Sequence, residues 1–126
     1  MAALRIEHVN VTVTDPERAA RMMEAVFEWW VRWRGPSRDG GQTIHVGTDE
    51  HYIALYKERA AIEAPASFAK GQPLNHIGVE VDDLDATEAR VVAAGLVPFN
   101  HGDYAPGRRF YYFDPDGIEY EVVSYG

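Results

Sequence analysis

The chain has 126 residues, 46% hydrophobic and 25% charged, which suits a single soluble globular domain with a proper core. Its formal charge of −8 argues against a nucleic-acid partner, and no apolar run approaches the length of a membrane helix. The lack of cysteine excludes disulfides, thiolate metal sites and a cysteine nucleophile, and Met1 to Arg5 lack a signal-peptide pattern, so a cytoplasmic location is expected.

From Ile6 to Asp15 the residues alternate with the period of a half-buried strand, Val9, Val11 and Val13 on one face and His8, Asn10 and Thr12 on the other. Asp15 and Pro16 then read as the cap and first turn of a helix, whose buried stripe is Ala19, Ala20, Met22, Met23, Val26 and Phe27. Strand-like runs follow at Trp29 to Arg34, Gln42 to Gly47 and Tyr52 to Lys57, separated by turn-forming residues. Trp29, Trp30 and Trp33 suggest packing or a covered subunit surface. His45 and His51, near a hairpin, read as exposed. Residues 58–73, with Pro65, Gly71 and Pro73, read as a linker.

The pattern then recurs. His76 aligns with His8, Ile77 with Val9, Val79 with Val11, Val81 with Val13, and Asp83 with Asp15. Asp85 and Glu88 stand at capping-box spacing for a second helix, and Gly95 supplies a stop. Strands are expected at Leu96 to His101, Arg109 to Phe113 and Ile118 to Tyr125, the last two joined by the Asp114-Pro115-Asp116-Gly117 turn. The expected fold class is therefore α+β, a single domain of two βαβββ modules at 4–57 and 74–125. Pairing of the modules, within one chain or across two, would form an open eight-stranded barrel-like cleft lined by the His8 and His76 faces.

The last strands of the two halves also align, so that Glu121 has Ala54 as its repeat mate. Two neutral histidines, His8 and His76, with one carboxylate, Glu121, suit a divalent first-row metal with open coordination positions. A carboxylate at position 54 would crowd such a site; alanine leaves room. The bland alternative is a cavity that kept its polar residues without a metal. Asn10, Tyr52, Ala54, Tyr56 and Glu80 are expected to line the pocket. Tyr111 or Tyr112 must face it, since strand neighbours point to opposite sides. Arg108 and Arg109 suit an anionic substrate group or a solvated strand entrance. His101 is a candidate acid or base.

The paired strands around His8 and His76, together with Arg109 to Glu121, resemble the vicinal oxygen chelate superfamily. That group includes glyoxalase I, extradiol dioxygenases, fosfomycin-modifying transferases and bleomycin resistance proteins. The resemblance implies metal ligands on the first and last strands of each module, here His8, His76 and Glu121. Ala54 stands where glyoxalase I has a fourth ligand that takes part in its proton transfer. The three-ligand dioxygenases and transferases are the better match. By the same resemblance Tyr111 is the favoured substrate or oxyanion contact, with Arg109 in the pocket.

The implied function is an enzyme dependent on Fe(II), Mn(II), Zn(II) or Ni(II), a dioxygenase or glyoxalase-like lyase acting on a small oxygen-chelating molecule, and forming a homodimer. The alternative is a metal-free protein that sequesters a cationic drug, as bleomycin resistance proteins do.

Overall fold

The computed structural model describes residues 4–37, 40–59 and 74–126. Their elements run β1 (His8–Thr12), α1 (Pro16–Phe27), β2 (Trp30–Pro36), β3 (Gln42–Gly47), β4 (Tyr52–Lys57), β5 (Ile77–Glu80), α2 (Leu84–Ala93), β6 (Phe99–Tyr104), β7 (Gly107–Phe113) and β8 (Glu119–Ser124). This is the expected doubled βαβββ order. The expected linker, apart from 58–59, lies outside the described residues. Among the described residues no helix is long and apolar enough to cross a membrane.

The chain divides into two compact units. The first holds β1 to β4 and most of α1. Its sheet has the order β1-β4-β3-β2, with β1 parallel to β4 and the other pairs antiparallel. The helix starts where Asp15 accepts a hydrogen bond from the Arg18 amide (3.1 Å), with Pro16 placed where a missing N–H costs nothing. Val11, Val13, Ala19, Ala20, Met23, Ile44, Val46 and Leu55 are buried. Of the first strand's other face, His8, Asn10 and Thr12 are exposed, as the alternation requires.

The second unit holds β5 to β8, α2 and the last residues of α1, Ala25–Phe27. Its sheet repeats the topology, β5-β8-β7-β6, again with the first strand parallel to the last. Phe110, Tyr112, Tyr120, Val122 and Val91 are fully buried, and the Phe27 ring lies 6.4 Å from Tyr112 and 6.1 Å from Tyr120. The expected cap of α2 is corrected by two positions. Asp83, not Asp85, accepts from the first turn, at the Ala86 amide (3.0 Å), while Asp85 pairs with Arg108 and Glu88 with His101. Asp83 is the repeat mate of Asp15, and both cap their helices through the amide three residues on. Gly95, at φ 84°, ends the helix as expected.

The strand registers support the repeat alignment. Asn10 pairs with Ala54 across β1 and β4, and Gly78 pairs with Glu121 across β5 and β8. Ala54 and Glu121 thus occupy equivalent places, each beside the residue two beyond its module's histidine.

Candidate functional site

In the second unit, β8 leaves its second carboxylate, Glu121, on the face opposite the core residues Tyr120 and Val122. Tyr111 stands beside it in register on β7 and donates its hydroxyl to Glu121 Oε2 at 2.9 Å. Arg109, two residues earlier on the same face, donates from Nη1 to the same oxygen at 3.2 Å; both of these side chains are about 15% exposed. Tyr104 supports the arginine, its ring centre 5.0 Å from the guanidinium carbon. Burial, then the hydrogen bond to Glu121, pushes the Tyr111 hydroxyl up to about 12, so it remains a donor at any ordinary pH.

With Oε2 held by two donors, Oε1 faces His76, whose Nε2 lies 3.5 Å away. Nothing stands on the strand between them but Gly78; a methyl there would reach van der Waals contact with Oε1 at 3.6 Å. The other imidazole nitrogen, Nδ1, meets Asn75 Oδ1 at 2.7 Å and Glu119 Oε2 at 3.6 Å. Glu119 is 1% exposed, and the alternation that carries Glu121 also carries Glu119 two residues earlier. Neither partner of this nitrogen is among the expected site residues, although the period of two points at Glu119 once Glu121 is chosen. Glu80 is exposed at the end of β5, on the His76 and Gly78 face.

In the first unit, His8 opens β1 and stacks on Tyr52 of β4, with ring centres 4.8 Å apart and planes 10° from parallel. Glu7 Oε1 lies 3.0 Å from His8 Nδ1 and accepts the Tyr52 hydroxyl at 3.4 Å. Its hydrogen bond with His8 holds the Glu7 carboxyl below the usual carboxylate range. His45 was expected to be exposed beside a hairpin. It is instead half-buried in mid-strand, opposite Ala54 in register, with its ring stacked 4.4 Å from Tyr52 and tilted against Trp33 at 5.1 Å. Burial pushes its pKa down, and His8 and Arg32 push the same way, so it is neutral near pH 7. The Arg32 guanidinium carbon lies 4.6 Å from the Tyr52 ring centre. Ala54 itself is 2% exposed, and Tyr56 is half-buried beside Thr12 and Thr43. Asn10 is exposed beside Ala54.

Two expected site residues face elsewhere. His101 pairs with Glu88 of α2, Nε2 to Oε2 at 2.8 Å, and lies 6.0 Å from the core ring of Phe110. That places it on the helix side of the second sheet, away from Glu121. The cause is a bulge: Asn100 takes φ 54°, and the β6–β7 register shifts between Phe99 and Gly102. A simple alternation count cannot see such a shift. Arg108 points to the same side, bonded to Asp85 at 3.0 Å, so Arg109 alone of the two arginines joins Glu121. Trp30 and Trp33 remain 46% and 48% exposed, whereas Trp29 packs edge-on against His51.

Among the described residues no group of three or more histidine and acidic side chains is gathered as a metal site. The His76 and Glu121 pair nevertheless suits one. Ligands at about 2.1 Å from a tetrahedral ion stand about 3.4 Å apart, close to the observed 3.5 Å. The donor set, imidazole and carboxylate, favours first-row divalent metals.

The family model "Glyoxalase/Bleomycin resistance protein/Dioxygenase superfamily" matches residues 5–122. No curated protein matches the chain. Among solved structures, a glyoxylase/bleomycin resistance protein/dioxygenase domain from Frankia sp. EAN1pec superposes with a TM-score of 0.83 at 22% identity, covering 99% of this chain and 94% of that one. The fosfomycin resistance protein FosX from Mesorhizobium loti gives 0.70 at 22% identity, covering 96% and 91%. FosX from Listeria monocytogenes, complexed with Mn(II) and sulfate, gives 0.71 at 15% identity, covering 98% and 93%.

Proposed function

The chain belongs to the glyoxalase/bleomycin resistance protein/dioxygenase superfamily, and on that premise we propose that it is a divalent-metal-dependent enzyme acting on a small, oxygen-bearing organic molecule. His8, His76 and Glu121 would hold the metal, which when bound supplies a Lewis acid for substrate oxygens. The observation that carries this reading is the separation of 3.5 Å between His76 Nε2 and Glu121 Oε1, with the other carboxylate oxygen already committed. Fe(II), Mn(II), Zn(II) and Ni(II) all suit these ligands. The Mn(II) in the similar Listeria protein favours testing manganese first.

The chain's own residues have definite tasks in this scheme. Arg109 and Tyr111 orient Glu121 by donating to its Oε2, and Tyr111, with its hydroxyl hydrogen given to that oxygen, would meet the substrate through its own oxygen. Asn10, Glu80, Tyr52 and Tyr56 would border the substrate, with Ala54 in place of a fourth ligand. Ring-cleaving dioxygenase or glyoxalase-like lyase chemistry ranks above thiol transfer. We read the protein as a cytoplasmic homodimer; its lack of cysteine calls for no oxidising compartment, and exposed Trp30 and Trp33 offer apolar surface to a second copy.

A second reading has its own support. The Arg109 ion pair already neutralises Glu121, which a metal-free pocket for sequestering a cationic drug would tolerate. Elemental analysis of the purified protein separates the two. Near-stoichiometric metal that disappears in His8→Ala, His76→Ala and Glu121→Ala supports the enzyme. Metal removal that leaves affinity and activity towards oxygen-chelating substrates unchanged sinks it.

A further inference from the structure

In both units, the side chain before the repeated histidine engages that ring's Nδ1. Glu7 Oε1 lies 3.0 Å from His8 Nδ1, and Asn75 Oδ1 lies 2.7 Å from His76 Nδ1. Adjacent residues in a regular strand point to opposite faces and could not meet in this way. Here Glu7 precedes β1 and Asn75 precedes β5, so neither is bound by the alternation.

An ionised carboxylate and an amide carbonyl only accept hydrogen bonds, so the hydrogen in each pair must sit on the ring nitrogen. A neutral imidazole carries one such hydrogen. Held at Nδ1, it leaves the lone pair on Nε2. We propose that Glu7 and Asn75 are positioning residues that fix the Nδ1–H tautomer of His8 and His76 and present Nε2 as the ligating atom. The proposal rests on the metal reading for what Nε2 meets, but the tautomer does not depend on it.

The two partners differ in charge, and the surroundings explain why. His76 already faces Glu119 at 3.6 Å and Glu121 at 3.5 Å. A third carboxylate there would repel the other two, and asparagine supplies the oxygen without the charge. Around His8, Glu7 is exposed and also receives the Tyr52 hydroxyl, while the Tyr52 ring fixes the imidazole plane. Each ring is thus held both in tautomer and in orientation.

The test uses the full chain, freed of metal by a chelator and labelled with 15N-histidine, with long-range proton–nitrogen NMR reporting the tautomers. His8→Ala and His76→Ala assign the signals. The wild type is expected to show Nδ1–H at both rings. Glu7→Ala should shift His8 alone towards Nε2–H, Asn75→Ala should shift His76 alone, and Glu7→Gln should keep the wild-type form. Titration with Mn(II), followed by electron paramagnetic resonance, should weaken about 10- to 100-fold in the two alanine variants and recover in Glu7→Gln. Unchanged tautomers in both alanine variants would overturn the proposal, as would shifted tautomers with unchanged Mn(II) affinity. Shifted tautomers in the alanine variants, with a wild type that binds no Mn(II), would uphold the positioning role and defeat the metal reading instead.

Discussion

Glu121 is the residue on which the candidate site turns, and its partners make separable contributions. Arg109→Ala removes a charge-assisted, largely buried hydrogen bond. It should lower the urea midpoint of unfolding, and an unchanged midpoint would contradict the role. Tyr111 carries a pH signature. Its proton is held more tightly in the folded chain than at the ordinary value of 10.0. Its contribution is therefore fully present below pH 10 and is lost as pH rises towards about 12. Tyr112 and Tyr120, raised by burial, act in the same sense. Stability should fall through this window, and Tyr111→Phe should make the fall shallower; an unchanged slope would contradict the assignment. The repeat points to Glu121, whereas the period of two leaves Tyr111 or Tyr112 open and does not choose between Arg108 and Arg109; only the resemblance favours Tyr111. His45 is not legible, because its place opposite Ala54 is set by the β3–β4 register, which residue types alone do not display.

At the scale of elements, the turn and cap chemistry is specific enough to test. Asp114 is buried and accepts from the Asp116 and Ile118 amides, both at 2.9 Å, closing the hairpin that carries Tyr111 and Glu121. Asp114→Ala leaves those amides short of an acceptor and should cost about 1–3 kcal/mol, seen in thermal or urea unfolding. Asp83→Ala should cost about 1 kcal/mol by uncapping α2, whereas Asp85→Ala, losing one exposed pair, should stay within about 0.5 kcal/mol. Equal losses would refute the cap assignment. Strands β3 and β4 run between the residues their turns predicted, because hydrophobic runs and breakers agree there. The strand expected from Leu96 to His101 begins instead at Phe99 and reaches Tyr104. Gly95 ends the helix but sets no strand, and a bulge at Asn100 is invisible to a pattern of alternation. The capping-box spacing of Asp85 and Glu88 points to the wrong cap, whereas the repeat, which sets Asp83 under the cap Asp15, points to the right one.

For the whole molecule, a metal that binds only the folded chain must raise its stability by mass action. Mn(II) at a hundredfold excess over its Kd should add about 2.7 kcal/mol, measured as a shift of the urea midpoint, and Glu121→Ala should abolish the gain. Both modules also share a wiring with a kinetic consequence. Among the described residues the first strand of each module is hydrogen-bonded within its sheet to the last alone, so β1 waits for β4 and β5 waits for β8. Hairpins of neighbouring strands close early, whereas these parallel pairings must close a long loop and are intrinsically slow. On the ribosome each module therefore keeps its first strand unmated until its own fourth strand has emerged. His8 and His76, at those two strands, are among the last parts of each module to find their place.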